Sequence, residues 1–285
     1  MTTHTFRIEF LTPCFCAGAD QSRAELRPSA IRGQLRWWFR VMGGTPIQEN
    51  EIFGSVHGDG AAASSIIVRT QIEPRTGEQD WFSEANIPRQ GVGNTTYLLG
   101  FFCGRTNRLQ ASGALAPGSK ATVTLTFRHP VTPLLEQAAN VFFSVGAVGF
   151  RSSRCAGAFA CIERPITNQN WPSLTGQLEK AGFAVALVPT RFNSWGDLVR
   201  AAGGLLRDRL RSGTGITAGR NGSKPNALGS AEPRQASVVH LRPLRIDNQL
   251  RLALLEAPHS RILGEKARDA HGNRGSILKL AGFLD

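Results

Sequence analysis

The chain has 285 residues, of which 41% are hydrophobic, enough to bury the core of one large domain or two small ones. Its net charge is +12 and its pI about 10.7. The absence of a long apolar run excludes a membrane-spanning protein, and residues 1–10 lack the features of a secretory signal, so we expect a cytoplasmic location. Five cysteines without a CxxC pair predict reduced thiols, with no metal site and no cofactor.

The positive charge is concentrated in the second half of the sequence. Residues 1–150 carry 13 Lys and Arg against 11 Asp and Glu, whereas residues 151–285 carry 20 against 10. Arginine far outnumbers lysine, and its planar guanidinium suits bidentate contacts to phosphate. A membrane surface would also attract this charge, but the sequence shows neither a basic amphipathic end segment nor a lipidation signal. The composition therefore favours a nucleic acid as the partner.

Period-two and helical patterns in the first half predict six elements in the order β-α-β-β-α-β. This is the ferredoxin-like (RRM-like) arrangement, in which two helices cover one face of an antiparallel sheet. The pattern predicts loops over residues 43–60 and 74–95, and a strand or edge piece over 95–103. The six elements are a strand at 5–12, a helix at 28–40, strands at 64–73 and 119–129, a helix at 130–145 and a strand at 158–162.

The second half predicts a further α/β unit. Residues 212–236 are rich in Gly, Ser, Asn and Pro, which is typical of a flexible segment, and this segment carries Arg220 and Lys224. We therefore predict an α+β protein with a ferredoxin-like domain over residues 1–165 and a degenerate ferredoxin-like domain over residues 166–285. The predicted elements are helices at 174–181, 195–211 and 274–283 and strands at 183–188, 237–246 and 250–255, the last two joined across Asp247 and Asn248.

The most distinctive stretch is the predicted helix at residues 28–40, PSAIRGQLRWWFR. Ser29 is a preferred N-cap residue, and Gly43 and Gly44 suit the helix end because glycine adopts the left-handed conformation without strain. Its apolar stripe predicts a core-facing surface. That stripe comprises Ile31, Leu35, Trp38 and Met42, with Phe39 at its edge.

Arg32, Arg36 and Arg40 form a second stripe on this helix. Like charges four residues apart repel one another and weaken an isolated helix. On a solvated surface this repulsion is tolerated. An anionic partner would instead be attracted by the three clustered positive charges. Trp37 points away from the apolar stripe and offers a nucleic-acid base a surface for stacking.

A glycine-rich connection, GAVGFRSSRCAG, spans residues 146–157. Its glycines allow close backbone approach, and its amides and polar side chains suit a phosphate backbone. It is neither a Walker A loop nor a dinucleotide fingerprint, because it follows a helix rather than a strand. The residues concerned are Gly146, Gly149, Arg151, Ser152, Ser153, Arg154 and Gly157.

Four motifs together resemble the RAMP superfamily of CRISPR proteins. They are Thr12-Pro13, the helix at 28–40, Glu51-Ile52-Phe53-Gly54-Ser55 and the loop at 146–157. Within that superfamily the chain is most similar to the first-subunit family of the type III-B Cmr effector complex. The resemblance implies a non-catalytic, RNA-binding protein of two ferredoxin-like domains near the 3′ end of the guide. The implied partners are guide CRISPR RNA, target RNA and other RAMP subunits.

One departure from the family pattern lies in the glycine-rich loop, where the family carries Arg-Gly and this chain has Cys155-Ala156. We predict RNA contacts and no catalytic residue. The predicted RNA-contacting residues are Arg27, Arg32, Arg36, Trp37, Arg40, Gly146, Gly149, Arg151, Ser152, Ser153, Arg154, Gly157, Arg220 and Lys224.

Two alternatives remain at this stage. The first is a metal-independent ribonuclease, which needs a general base and acid near the RNA 2′-hydroxyl. His57 with Asp59 nearby is the constellation worth testing, and Asp20 resembles the loop aspartate by which related subunits cut RNA. The second is a capping protein whose arginines and Trp37 meet a neighbouring subunit.

Overall fold

A computed structural model describes residues 1–20, 23–56, 61–73, 98–99, 114–216, 226–230 and 235–285. The first half contains β1 (Thr2–Phe10), α1 (Pro28–Val41), α2 (Pro46–Phe53), β2 (Ile66–Glu73), β3 (Lys120–Phe127), α3 (Pro133–Val145) and β4 (Phe159–Cys161). The second half contains α4 (Trp171–Lys180), β5 (Ala184–Phe192), α5 (Trp195–Leu205), β6 (Val239–Ile246), β7 (Gln249–Glu256), α6 (His259–Ile262), α7 (Glu265–His271) and α8 (Ile277–Leu280). The strand or edge piece predicted at 95–103 lies, except for 98–99, outside the described residues.

The first sheet has the strand order β2-β3-β1-β4, and every neighbouring pair is antiparallel. Along β3 the buried and more exposed residues alternate as the sequence predicts. The buried side chains of the sheet pack against α1 and α3 in one apolar cluster. The second sheet, β5-β7-β6, is also antiparallel. The predicted α+β class with antiparallel sheets is thereby confirmed.

Helix α1 begins at Pro28, as its predicted bounds have it, but its N-cap lies two residues before Ser29. Arg27 occupies the N-cap position without a capping side-chain hydrogen bond, and Pro28 is the first helical residue. The predicted N-cap role of Ser29 is therefore wrong, because proline, with its fixed φ and missing N–H, is well suited to the first turn. At the other end, Gly43 has a φ of 122° and the amide of Gly44 donates to the Phe39 carbonyl at 2.9 Å. The predicted glycine stop is confirmed.

Helix α2 lies where the sequence pattern predicts only a loop. The Thr45 side chain accepts from the Gln48 amide, and the Gln48 side chain accepts from the Thr45 amide. This reciprocal capping box supports a two-turn helix that starts with Pro46. Its apolar content is too small for a periodic signal, which is why hydrophobic patterning did not detect it. Ile52 and Phe53 pack into the core at its end.

The β6–β7 hairpin turns at the predicted residues. Asp247 and Asn248 both have positive φ, 46° and 61°, and Ile246 pairs with Gln249. Positive φ at both central residues is characteristic of a type I′ turn, which Asp and Asn tolerate better than most residues.

Helix α5 continues through a π-helical turn, Leu206–Ser212, and buries one face against the second sheet. Ala202 and Leu206 are buried, whereas Ala201 and Leu205 are only half-buried. The predicted helix at 274–283 is reduced to α8. Residues after α8 are held by Arg209, whose guanidinium donates to the Ala281 carbonyl and lies 4.5 Å from the Phe283 ring.

The two halves share apolar packing. One cluster includes Phe6 and Phe142 from the first half and Phe183 and Leu255 from the second. The domain boundary near residue 165 stays a prediction. Among the described residues, no helix has the length and apolar character needed to cross a bilayer.

Candidate nucleic-acid interface

The exposed face of α1 carries the predicted arginine stripe. Arg32 and Arg40 are exposed, and Arg36 is 37% exposed. Within the described part of the chain, no hydrogen bond or ion pair engages the Arg32 side chain. Arg27, one position before the helix, is also exposed. The buried face contains the predicted apolar stripe, including Leu35 and Trp38.

Glu49, on α2, holds two members of this stripe. Its Oε1 accepts from Arg36 Nε at 2.5 Å and from Arg40 Nη2 at 2.6 Å, and its Oε2 accepts from Arg40 Nε at 2.7 Å. The hydrogen bonds from Arg40, aided by those from Arg36, keep the pKa of the Glu49 carboxyl below its usual value although burial opposes this shift. The repulsion expected along the stripe is therefore partly neutralised by one carboxylate.

Trp37 contacts the second half of the chain. Its indole stacks on the His240 imidazole of β6, with ring centroids 4.9 Å apart and planes inclined by 25°. Trp37 is half-buried rather than fully free for a base to stack on. Burial, with repulsion from Arg242 and Arg154, lowers the pKa of His240 to about 3, so the ring is neutral at physiological pH.

Arg242 extends this contact to the glycine-rich loop. Its Nη2 lies 3.3 Å from His240 Nδ1, and its Nη1 donates to the Ser152 carbonyl at 3.1 Å. Burial lowers the pKa of Arg242 to about 10, which leaves the guanidinium charged at neutral pH. The contacts from Trp37 through His240 and Arg242 to Ser152 run through the interior, since Arg242 is buried, and they connect α1 to the glycine-rich loop.

The glycines of the loop serve close packing within the protein. A Cβ on Gly157 would lie 1.8 Å from the Val148 carbonyl oxygen, and one on Gly149 would lie 2.5 Å from the Phe15 carbonyl oxygen. Both glycines also have positive φ. Gly146 is similarly crowded, since its Cβ would lie 2.1 Å from the Phe142 carbonyl oxygen. These three positions therefore require glycine for backbone packing, and their predicted role in holding a phosphate backbone stays a prediction.

The polar residues between these glycines divide into two groups. Arg151, Ser152 and Ser153 are half-buried and remain part of the candidate interface. Arg154 is only 5% exposed, and its guanidinium donates to the carbonyls of Val239 and Leu228. The prediction that Arg154 contacts RNA is corrected, because its donors point into the protein and join the loop to the second half.

Several predicted residues lie outside the described part of the chain, namely Arg220, Lys224, His57 and Asp59. Asp20 is described and exposed. Its proposed resemblance to a catalytic loop aspartate stays a hypothesis. Among the described residues, no group of three or more His, Cys, Asp or Glu side chains is placed to hold a metal.

Two clefts between the sheets are lined by cationic residues that were not among the residues predicted from the sequence. The larger has a volume of about 540 Å³ and is lined by Arg191 and Arg245 among others. The second, of about 450 Å³, is lined by Lys120 and Arg164 as well as by Arg245. Arg245 Nη2 pairs with Glu9 Oε1 at 2.5 Å in the wall that both clefts share.

Glu49, His240 and Arg242 were also missed by sequence reasoning. The capping residues Thr45 and Gln48 give a local signal for α2, and hence for the position of Glu49 on a helix. The pairing of His240 with Trp37 has no local signal, because the two residues are 203 positions apart.

Comparison with known proteins identifies the family. A family model described as the RAMP superfamily matches residues 7–159, more than half of the chain. The chain belongs to the RAMP superfamily. A curated relative from Pyrococcus furiosus, the CRISPR system Cmr subunit Cmr1-2, is 32% identical over 73 residues. That match covers 24% of this RAMP chain and 39% of the relative, so the chain spans well under half of the relative's length.

Solved structures share the fold of this RAMP protein. The crystal structure of Cmr1 from Pyrococcus furiosus in its apo form has a TM-score of 0.61 at 16% identity, with 93% of this chain and 90% of that chain covered. A chain in the cryo-EM structure of the type III-B Cmr-beta complex bound to cognate target RNA has a TM-score of 0.51 at 11% identity, with 98% of both chains covered. The resemblance predicted from the motifs is confirmed.

Proposed function

We propose that this RAMP protein is an RNA-binding subunit of a type III-B Cmr ribonucleoprotein in antiviral defence. The observation that carries the proposal is the exposed arginine face of α1. The contacts of Trp37, His240 and Arg242 connect this helix to the loop that contains residues 151–153. Arginine guanidinium groups and a partly exposed indole suit phosphates and bases without selecting a sequence. Such tolerance fits an effector in which base pairing with a guide supplies the specificity.

The proposed ligands are guide CRISPR RNA, near its 3′ end, and target RNA paired to it. The proposed protein partners are other RAMP subunits of the effector. Support comes from the family, from the relative that is named a Cmr subunit, and from the fold shared with a chain of a complex bound to target RNA. The fold similarity is at low identity, so the contacts of this chain are argued from its own arginines.

We also propose that residues 1–165 form a ferredoxin-like domain. The strand order β2-β3-β1-β4, with antiparallel neighbours and helices α1 and α3 after β1 and β3, supports this interpretation. Residues 166–285 form the proposed degenerate counterpart. Their sheet has three strands within the described part of the chain.

The proposed role is non-catalytic, with a metal-independent ribonuclease as the alternative. Several described histidines are engaged in structural contacts. His240 stacks on Trp37, His259 pairs with Glu256 at 2.5 Å, and His271 contacts the Gly275 carbonyl at 2.8 Å. A capping protein without RNA contacts is a further alternative, which the same experiment separates.

The experiment measures binding of single-stranded and guide–target duplex RNA by anisotropy across a salt series. The test variant is Arg32→Ala/Arg36→Ala/Arg40→Ala. The control is Arg128→Ala/Arg200→Ala/Arg207→Ala, which removes the same charge at exposed positions elsewhere. We expect weaker binding and a salt slope reduced by about two units in the test variant alone. Equal behaviour of both triple variants contradicts the assignment to α1, and cut RNA products would establish the ribonuclease alternative.

A further inference from the structure

The contact between α1 and α2 combines a buried carboxylate with two accessible guanidinium groups. The Glu49 side chain is only 6% exposed, yet both arginines that it binds are accessible, Arg36 at 37% and Arg40 at 51%. One carboxylate thus holds two guanidinium groups at a surface. The three side chains together retain one net positive charge.

The guanidinium nitrogen atoms of Arg36 and Arg40 that do not contact Glu49 can donate hydrogen bonds to a partner. Glu49 accepts from the Nε atoms of both arginines and from Nη2 of Arg40. Within the described part of the chain, no hydrogen bond engages Nη1 or Nη2 of Arg36 or Nη1 of Arg40. Because Nε is the donor nearest the side-chain stem, binding it inward leaves the outer part of each guanidinium available.

We propose that Arg36, Arg40 and Glu49 form a preassembled clamp for one RNA phosphodiester, in which Glu49 is a positioning residue. The clamp rests on the RNA-binding function proposed above. Two guanidinium groups around one anion match the geometry in which arginine recognises phosphate, by parallel N–H donors. Glu49 brings the groups together before RNA arrives, although their like charges repel.

The rigidity of α2 supports this role. Glu49 follows the capping box of Thr45 and Gln48, which fixes the first turn of the helix. Ile52 and Phe53 anchor the opposite end in the core. A carboxylate on a helix held at both ends fixes two long side chains, whose ordering otherwise opposes binding.

The clamp and simple charge attraction predict opposite effects of replacing Glu49. Glu49→Gln raises the net charge by one, so charge attraction alone predicts tighter RNA binding. The clamp predicts weaker binding, by about fivefold to tenfold, because both arginines lose their fixed orientation. Glu49→Asp keeps the charge and shortens the reach by one methylene, so the clamp predicts weaker binding for this variant as well.

The matched control is Glu163→Gln, since Glu163 pairs with Arg7 at 2.6 Å on β1. It makes the same charge change at a surface ion pair outside the clamp. Binding of a phosphodiester-linked RNA oligonucleotide is measured for each variant, with thermal unfolding to establish that each is folded. We expect weaker binding for Glu49→Gln and Glu49→Asp, and equal or slightly tighter binding for Glu163→Gln. Tighter or unchanged binding by folded Glu49→Gln overturns the clamp.

A second step tests whether Glu49 acts through the arginines. In an Arg36→Ala/Arg40→Ala background, Glu49→Gln is expected to cause no further loss of affinity. A further loss of the same size shows a general structural effect and rejects the positioning role. If the wild-type protein and its assembled complex bind RNA independently of α1, the clamp fails while RNA binding stands. If neither binds RNA, the proposed function itself fails.

Discussion

Trp37 of α1 and His240 of β6 stack with their ring centroids 4.9 Å apart, although they lie in different halves of the chain. Trp37 also makes an edge contact with Trp38, whose side chain is buried in the core. The indole therefore links the proposed RNA face both to the first core and to the second sheet. Aromatic contacts of this kind contribute beyond the area that they bury.

The stack predicts an energetic coupling between the two residues. We expect a double-mutant cycle of Trp37→Ala and His240→Ala to show a coupling free energy of about 0.5–1.5 kcal/mol in urea unfolding. The control cycle pairs Trp37→Ala with His129→Ala, since His129 is exposed and makes no described contact with Trp37. Additive single effects at 37 and 240 would contradict the stack.

The low pKa of His240 predicts a specific pH dependence. The folded protein binds this proton only near pH 3, whereas an unfolded histidine binds it near its ordinary pKa of 6.5. The contribution of His240 to stability is therefore fully present above pH 6.5 and is lost progressively as the pH falls toward 3.

The measurement is the slope of the unfolding free energy against pH between 6.5 and 4.5 for the wild type and His240→Gln. We expect the wild type to have the steeper slope, by at most about 1.4 kcal/mol per pH unit. The slope is the appropriate readout because the substitution also removes the contact to Arg242. Parallel curves for the two proteins would show that His240 titrates normally.

The burial of Arg154 predicts a loss of stability without a loss of RNA affinity. Arg154→Ala leaves the carbonyls of Val239 and Leu228 without these donors. We expect a decrease of about 2–4 kcal/mol in unfolding free energy, since both acceptors are inside the protein. Arg151→Ala, three residues away in the half-buried part of the loop, is the comparison variant. Weaker RNA binding by the folded fraction of Arg154→Ala would restore the original prediction for this residue.

Gly33 lies in the middle of α1, and a Cβ built there meets nothing within 4 Å. Alanine is the better helix former, so Gly33→Ala is expected to stabilise the protein by about 0.5–1 kcal/mol. The added methyl group would lie on the exposed face of α1 next to Trp37, which is one helical turn further along the chain. We therefore expect higher thermal stability together with weaker RNA binding. An increase in stability with unchanged affinity would place the RNA elsewhere on α1.

Local patterns predicted the elements that build the interface. Alternation predicted β3, the residues Asp247 and Asn248 predicted the hairpin turn, and the apolar stripe predicted the buried face of α1. These features depend on neighbours within a few residues, where the sequence is informative. Helix α2 escaped detection because two turns with few apolar residues give little periodicity.

The chemical roles of the arginines could be assigned only from the structure. Arg32 and Arg154 both lie in arginine-containing motifs from which the sequence predicts RNA contacts. The first is exposed, whereas the second is buried against carbonyls from β6 and from residue 228. Whether a guanidinium meets solvent, a carboxylate or a carbonyl depends on distant residues that no local spacing encodes.

The bridge from Arg242 to the Ser152 carbonyl has a consequence for how this protein can change over time. The backbone of the glycine-rich loop is held by a side chain 90 residues further along the chain. A substitution at position 242 thus disturbs the loop without altering any of its own residues. Because the acceptor is a backbone carbonyl, any residue at position 152 can accept this hydrogen bond, so the loop tolerates substitution at 152 more readily than it tolerates loss of the arginine at 242.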